Sequence, residues 1–162
     1  MQSILDSADA WFFDSAAHKL DGALILRLVE GVKGPARQFV DVGGARLGPY
    51  FPVQVGPLSR CVEVTFKNAL AFFAYNESYD TADPELKKGT GRFLFVAESS
   101  SFRRFAESRT SLAQQHAVSY EEFVLCCEDR IFHVLSSDVP EVAALHDAPN
   151  LTVQRTTTWS AS

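Results

Sequence analysis

A chain of 162 residues, 46% of them hydrophobic and 12% aromatic, is long enough to bury a core without the help of disulfides or a metal. Its formal net charge of −5 would repel a nucleic-acid backbone, so we expect no nucleic-acid partner. The most apolar stretch, residues 23–32, is too short to cross a bilayer, and three cysteines make no disulfide framework. We therefore expect a single domain, residues 1–162, in the cytoplasm and without membrane contact.

Turn residues divide the first part of the chain into short segments that alternate in hydrophobicity, as half-buried strands do. After a short apolar run at residues 11–13, residues 23–32 predict a central strand, because both of its faces are largely apolar. Residues 38–42 predict another short strand, which ends at two glycines. The proline-rich residues 47–52 are expected to form a loop, since proline cannot pair in the middle of a sheet.

The clearest alternation of the chain lies at residues 61–66, where every second side chain is apolar. This pattern predicts a strand with one buried and one solvated face. An aromatic strand is predicted next, at residues 69–75. Residues 76–91 form the longest polar connection, and its glycines and the Asp83-Pro84 pair predict a mobile loop.

A helix is predicted after another strand at residues 92–97. The three serines at positions 99–101 are good N-caps, and the apolar residues between 102 and 113 fall on one helical stripe. This segment is the best helix candidate of the chain.

The strongest hairpin signal joins residues 121–127 to residues 130–136. With a two-residue turn, one face of this hairpin would carry Phe123, Leu125, Cys127, Phe132 and Val134. Residues 138–146 follow with an acidic cap and a proline near the first helical position, which predicts a short helix. The threonine-rich residues 151–159 predict a last strand.

The order of these elements predicts the fold class. Seven or eight strands with one or two short helices do not alternate as strand–helix–strand units. The sequence therefore predicts a mainly β protein, an antiparallel β-sandwich or barrel that is jelly-roll-like.

The chain contains no sequence motif for catalysis or cofactor binding. It has no P-loop, dinucleotide fingerprint, nucleophile elbow or metalloprotease helix, so no cofactor is expected. Its histidines, His18, His116, His133 and His146, are not spaced as metal ligands, and no metal site is predicted. His133 alternates with apolar residues in a predicted strand, which is typical of a hydrogen-bonded structural histidine.

The adjacent Cys126 and Cys127 would point to opposite faces of their strand and could not hold one metal together. We interpret both as buried small hydrophobic residues. Acidic neighbours such as Glu121 and Glu122 are interpreted as solvated surface pairs.

Aromatic residues beside turns are the candidate ligand- or partner-binding residues. They are Tyr50, Phe51, Tyr75 and Tyr79, with Asp80 beside the last of them. Exposed together, such rings would suit stacking on a sugar or docking of another protein.

Three functions remain open at this stage. The first is a non-catalytic binding or protein-interaction domain, an acidic protein that engages another, basic protein as toxin-immunity and inhibitor proteins do. The second is a β-barrel module that binds a small molecule or a carbohydrate. The third is an enzyme whose site combines His18, His133, Cys127 and loop carboxylates.

Overall fold

The computed structural model describes residues 3–115 and 119–146. Antiparallel strands account for 50% of this structure. The strands are β1 (Ala10–His18), β2 (Leu24–Lys33), β3 (Gln38–Val42), β4 (Ala45–Tyr50), β5 (Val53–Gln54), β6 (Cys61–Phe66), β7 (Ala69–Tyr75), β8 (Lys87–Lys88), β9 (Leu94–Ser99), β10 (Glu121–Cys126), β11 (Ile131–Ser136) and β12 (Glu141–Leu145). The one α-helix of the described residues is α1 (Ser101–Arg109). Single 3-10 turns lie at Ile4–Ser7, Glu77–Tyr79 and Leu112–Gln114.

The strands form two main sheets and a separate hairpin. The first sheet has the order β1-β2-β6-β12, with β5 paired to β2, and the second has the order β7-β11-β10-β9-β8. Within residues 3–115 and 119–146, strands β3 and β4 pair only with each other. This arrangement confirms the predicted mainly β, antiparallel, sandwich-like fold with a short helix, and it is not a closed barrel.

The main core lies between the two sheets and follows the alternation of the sequence. In β6 every second residue, Val62, Val64 and Phe66, is fully buried, as predicted. Phe66 of the first sheet contacts Phe123 of the second, with ring centroids 5.9 Å apart. The hairpin β10-β11 has the predicted register, so the face predicted to be shared lies in this core. Strand β2 lies between β1 and β6, which confirms its predicted central position.

Helix α1 covers part of the other face of the second sheet, which we call the outer face. Its N-cap is Ser100, whose Oγ accepts a hydrogen bond from the Arg103 backbone N–H at 2.9 Å. The helix ends at Arg109, and the Thr110 hydroxyl donates to the Ala106 carbonyl at 2.7 Å. The predicted helix is confirmed, but it is shorter than the apolar stripe, because Leu112–Gln114 forms a separate 3-10 turn.

The expected loop at residues 47–52 is wrong over most of its length, because β4 pairs with β3 up to Tyr50. The register shifts between Gln38 and Val40, opposite the part of β4 that contains Pro49. Strand β4 has no second neighbour among the described residues. A proline is tolerated at such an irregular, edge-like position since few backbone donors are required there.

The short helix expected at residues 138–146 is also wrong, because Glu141–Leu145 is strand β12. It pairs with β6 over its whole length, and Val142 packs against the main core. Glu141 also forms an ion pair with Lys67 at 2.5 Å. Capping signals act locally, and here the pairing with an otherwise open strand edge overrides them.

The remaining differences concern short elements. The connection at residues 76–91 contains a 3-10 turn and β8, so it is more regular than a plain loop. The unexpected short strands β4, β5, β8 and β12 raise the described strands to twelve, above the expected seven or eight. The strand expected at residues 151–159 lies outside the described residues.

Candidate functional site

An open pocket of about 720 Å³ lies on the outer face of the second sheet, between β7, helix α1 and the connection at residues 76–91. We call it the aromatic pocket. Its aromatic lining residues are Phe72, Phe73, Tyr75, Tyr79, Phe102 and Phe105. Its lining also contains the carboxylates Asp80 and Asp83 and the imidazole of His133, and no lysine or arginine among the described residues. The described wall is therefore apolar with a negative rim.

The rings of the pocket are packed against one another where strand and helix meet. Phe73 of β7 stacks on Phe102 of α1, with centroids 6.0 Å apart. His133 lies nearly parallel to Tyr75, also at 6.0 Å, and meets Phe102 edge-on at 5.9 Å. Tyr79 differs from these, because 79% of its surface is exposed. The pocket thus combines rings in mutual contact with more exposed rings, of which Tyr79 is the most exposed and Phe105 follows at 60%.

Asp80 is positioned at the rim by two hydrogen bonds to the same oxygen. The Tyr75 hydroxyl donates to Asp80 Oδ1 at 3.1 Å, and the Ala82 backbone N–H donates to it at 3.4 Å. Within the described residues, Oδ2 of Asp80 accepts no hydrogen bond. Burial, and then the bond to Asp80, raise the pKa of the Tyr75 hydroxyl, which therefore stays protonated and keeps donating.

Asp83 ties the connection to the start of helix α1. Its Oδ1 accepts from the Ser101 hydroxyl at 2.7 Å and from the Glu85 backbone N–H at 2.9 Å, and its Oδ2 accepts from the Ser101 backbone N–H at 2.7 Å. Burial opposes ionisation, but these hydrogen bonds outweigh it and lower the pKa of Asp83. The sequence predicts that this connection is mobile, and that stays a prediction. Such motion would have to break the hydrogen bonds of Asp83.

A buried polar group lies directly behind the pocket. Glu122 of β10 is 0% exposed, and its Oε1 lies 2.8 Å from Nδ1 of His133, which is 4% exposed. The Ser100 hydroxyl donates to both oxygens of Glu122, at 2.8 and 2.6 Å. The same serine caps α1, so the helix cap and the buried carboxylate are linked.

This group corrects one expectation and confirms another. Glu122 is not part of a solvated pair. It lies two residues from Val124 on β10, so both side chains point to the same face of the sheet, the covered outer face. His133 is the hydrogen-bonded, buried histidine that the strand pattern predicts. The strand pattern places Glu121 and Glu122 on opposite faces, but the burial of Glu122 depends on the helix above the outer face, which the sequence does not position.

The structure separates the predicted binding residues into two places. Tyr75, Tyr79 and Asp80 line the aromatic pocket. Tyr50 and Phe51 do not line it but lie at the end of the β3-β4 hairpin, both exposed. No sequence pattern predicts that the phenylalanines of β7 and α1 line one pocket, because their contact depends on how the helix packs on the sheet.

Of the residues of the suggested enzymatic site, His133 shares the pocket with the loop carboxylates Asp80 and Asp83, but Cys127 and His18 do not line it. Cys127 is buried in the main core between the sheets, whereas His133 lies on the outer face. His18 ends β1 and packs edge-on against Phe72 at 5.3 Å. Burial raises the pKa of the Cys127 thiol and, to a smaller extent, that of Cys126, which disfavours the nucleophilic thiolate.

Comparison with known proteins adds no functional assignment to this geometry. Over residues 3–115 and 119–146, no group of three or more His, Cys, Asp or Glu side chains could hold a metal ion. Within the same ranges, no helix has the length and apolar character that crossing a membrane requires. No family model matches the chain, and neither the curated proteins nor the solved structures compared with it include a match.

Proposed function

We propose that this protein is a non-catalytic binding domain whose aromatic pocket receives a basic side chain of a partner protein. The observation that carries this proposal is the composition of the pocket: six aromatic rings and two carboxylates, with no lysine or arginine among its described lining residues. A cation is attracted to the faces of aromatic rings and to carboxylates, and both are offered at one place.

The rim supplies the specific contacts. Tyr79 exposes most of its ring, and Asp80 Oδ2 is free of partners within the described residues. A lysine or arginine side chain could lay its aliphatic stem on the rings and direct its charge to Asp80. The net charge of −5 would favour the approach of a basic protein, as it does for acidic inhibitor and immunity proteins.

The pocket volume favours a second candidate, a small-molecule or carbohydrate site. About 720 Å³ falls within the usual range for such ligands, and exposed tyrosines stack on sugar rings. A sugar hydroxyl could donate to Asp80, but only a cation would also gain from the negative charge of the rim and from the faces of the rings. We therefore propose a basic side chain, rather than a carbohydrate, as the ligand of the pocket.

A peptide titration tests the proposal. The probes are acetyl-Gly-Lys-Gly-amide and its neutral glutamine analogue, followed by NMR of the protein backbone amides. We expect the lysine peptide to bind at the aromatic pocket, and the double variant Tyr79→Ala with Asp80→Ala to weaken that binding about tenfold or more.

The chain offers a matched control in the β3-β4 hairpin. Tyr50→Ala with Phe51→Ala removes two exposed rings that do not line the pocket, and should leave the affinity unchanged. If both peptides bind equally well, or if the pocket variant binds like the wild type, the proposal is wrong. Preferential binding of a monosaccharide such as glucose would support the second candidate instead.

A further inference from the structure

Strand β7 is the outermost strand of the second sheet and forms one wall of the aromatic pocket. It pairs with β11 on one side and, within residues 3–115 and 119–146, with no strand on the other. Its Phe72 and Phe73 both line the pocket, although adjacent side chains of a strand point to opposite faces. Because β11 covers one edge, a pocket that touches both faces of β7 must reach around the free edge. The backbone of this edge is therefore accessible from the pocket.

The hydrogen-bond register shows which backbone groups of β7 lie at the free edge. In the neighbouring hairpin the Cys127 N–H donates to the Arg130 carbonyl at 2.8 Å, and in an antiparallel ladder every second pair is bonded in this way. By this rule β11 and β7 are bonded to each other at alternate pairs, which are Ile131–Tyr75, His133–Phe73 and Leu135–Ala71. The N–H and C=O groups of Phe72 and Ala74, which lie between them, consequently point to the free edge.

β7 also lacks the features by which the other outermost strands of the two main sheets resist pairing. β8 consists of two lysines, β12 begins with the exposed Glu141, and β1 is interrupted by a bulge beside the exposed Asp14. β7 has seven residues without a charge, a proline or a glycine, and its register with β11 is regular from Ala71 to Tyr75. A regular, uncharged edge of this length is a template on which another extended chain can add a strand.

Charge determines what kind of chain fits this edge. The carboxylates Asp80 and Asp83 line the pocket, and no lysine or arginine does so among the described residues. A second copy of β7 would bring no basic side chain to these carboxylates, because the strand contains none. A basic segment of a partner protein would supply the opposite charge.

We propose that the partner binds as an extended basic segment that pairs antiparallel with β7 and places a lysine or arginine side chain in the aromatic pocket. This inference deepens the proposed function, on which it rests. The basic residue lies opposite Phe73 and shares its face of the sheet, while the residues before and after it bond to Ala74 and Phe72. Tyr75 is then a diagonal neighbour within reach of a long side chain, and its hydroxyl already donates to Asp80. The pocket thus selects the side chain, and the edge binds the backbone.

The first test uses the wild-type protein and the peptide acetyl-Thr-Val-Lys-Val-Thr-amide, in which one backbone nitrogen at a time is methylated. Antiparallel pairing turns the N–H of each valine toward β7 and that of the lysine away from it. We expect methylation of the first valine to weaken binding about tenfold. Methylation of the lysine nitrogen is the matched control and should leave the affinity within about twofold.

Hydrogen exchange of the protein amides reports the pairing directly. In the free protein the N–H groups of Phe72 and Ala74 should exchange fast, whereas that of Phe73 is held by β11. Saturation with the unmodified peptide should slow exchange at Phe72 and Ala74 about tenfold or more.

The variant Ala74→Pro removes one donor of the free edge and leaves the ladder to β11 intact, since proline is tolerated where the missing N–H would face outward. It should weaken binding of the unmodified peptide about tenfold. Binding of the peptide methylated at the first valine should change much less, because the same pair of residues is already disrupted, and this binding also shows that the variant is folded. The control Ala74→Val keeps the N–H and should bind the unmodified peptide as the wild type does.

The outcomes separate this inference from the proposed function. If neither this peptide nor acetyl-Gly-Lys-Gly-amide binds at the pocket, the proposed function itself fails. If both bind, but methylation of the first valine and of the lysine have equal effects or Phe72 and Ala74 keep exchanging fast, the pocket takes a side chain without strand pairing and the inference is wrong. Slow exchange of both amides in the free protein that is lost on dilution would identify a second copy of the chain as the occupant, which also overturns the inference.

Discussion

The aromatic pocket and the β3-β4 hairpin are built from similar residues but differ in what surrounds them. Both combine phenylalanine and tyrosine with turn residues and a few charges. In the pocket, strand, helix and connection meet, and polar groups are held by several hydrogen bonds. In the hairpin every residue of both strands is exposed, and an arginine, Arg46, lies 4.1 Å from the ring of Phe39. Composition therefore does not decide which region is organised; a covering layer does.

The physical basis of this contrast is burial. A two-stranded hairpin has no second layer, so its side chains gain little from leaving water. The outer face of the second sheet has helix α1 above it, so a polar group that points there must find partners within the protein. Substitutions in the two regions should differ accordingly.

The largest difference in the free energy of unfolding is expected between the variants His133→Ala and Tyr50→Ala. Loss of His133 leaves Glu122 buried with Ser100 alone, and breaking such a buried pair costs about 3–5 kcal/mol. Loss of the exposed Tyr50 should cost about 0.5 kcal/mol or less. Urea denaturation followed by fluorescence measures both, and equal effects would remove the distinction between the regions.

A smaller loss in the free energy of unfolding is expected for Ser100→Ala. This change removes the cap of α1 and the hydroxyl that donates to Glu122, which together should lower the free energy of unfolding by about 1–3 kcal/mol. The control is Ser108→Ala, whose exposed hydroxyl makes its one hydrogen bond among the described residues to the Phe105 carbonyl of the same helix. If both serine variants unfold at the same urea concentration, the cap does not link helix and sheet as described.

The smallest loss in the free energy of unfolding is expected for Asp83→Asn, and the size of this loss depends on pH. Since the pKa of Asp83 is lowered in the folded protein, its ionised form stabilises the fold at pH values above the unfolded pKa of about 4, and this contribution is lost as the pH falls through the folded pKa. At pH 7 the variant should lose about 1 kcal/mol, because its amide cannot replace both oxygens as acceptors. Below about pH 3 the difference from the wild type should shrink.

Asp41→Asn is the matching change in the hairpin, where the carboxylate lies on an exposed strand. Its unfolding free energy should stay within about 0.5 kcal/mol of the wild type at both pH values. A loss at Asp83 that persists unchanged in acid would mean that the charge of this carboxylate is unimportant.

The same contrast shows what could be predicted from the sequence. The faces of β6 followed from strict alternation, and those of the β10-β11 hairpin from its two-residue turn, because successive side chains of a strand point to opposite faces. The central position of β2 followed from its two largely apolar faces. The cap of α1 also followed, since capping depends on residues close in the chain. These are the parts of the fold in which local pattern and tertiary packing agree.

The missed parts depend on distant contacts. β12 carries helix-capping residues, but its partner β6 lies far away in the sequence. The site residues Phe73 and Phe102 meet only because α1 folds back over the sheet. Glu122 was interpreted as solvated because its acidic neighbour suggested a surface, whereas the helix above it could not be placed from the sequence.

Both outer edges of the β3-β4 hairpin are unpaired in the described part of the chain, which has a consequence for the behaviour of the protein at high concentration. Unpaired strand edges with exposed apolar side chains are templates on which another chain can add a strand. In β4, Pro49 removes one backbone donor and the shifted register interrupts the regular spacing of the others. The exposed charges of Asp41 and Arg46 interrupt the apolar surface as well. These irregularities protect the most exposed apolar strands of the described chain from self-association into extended sheets.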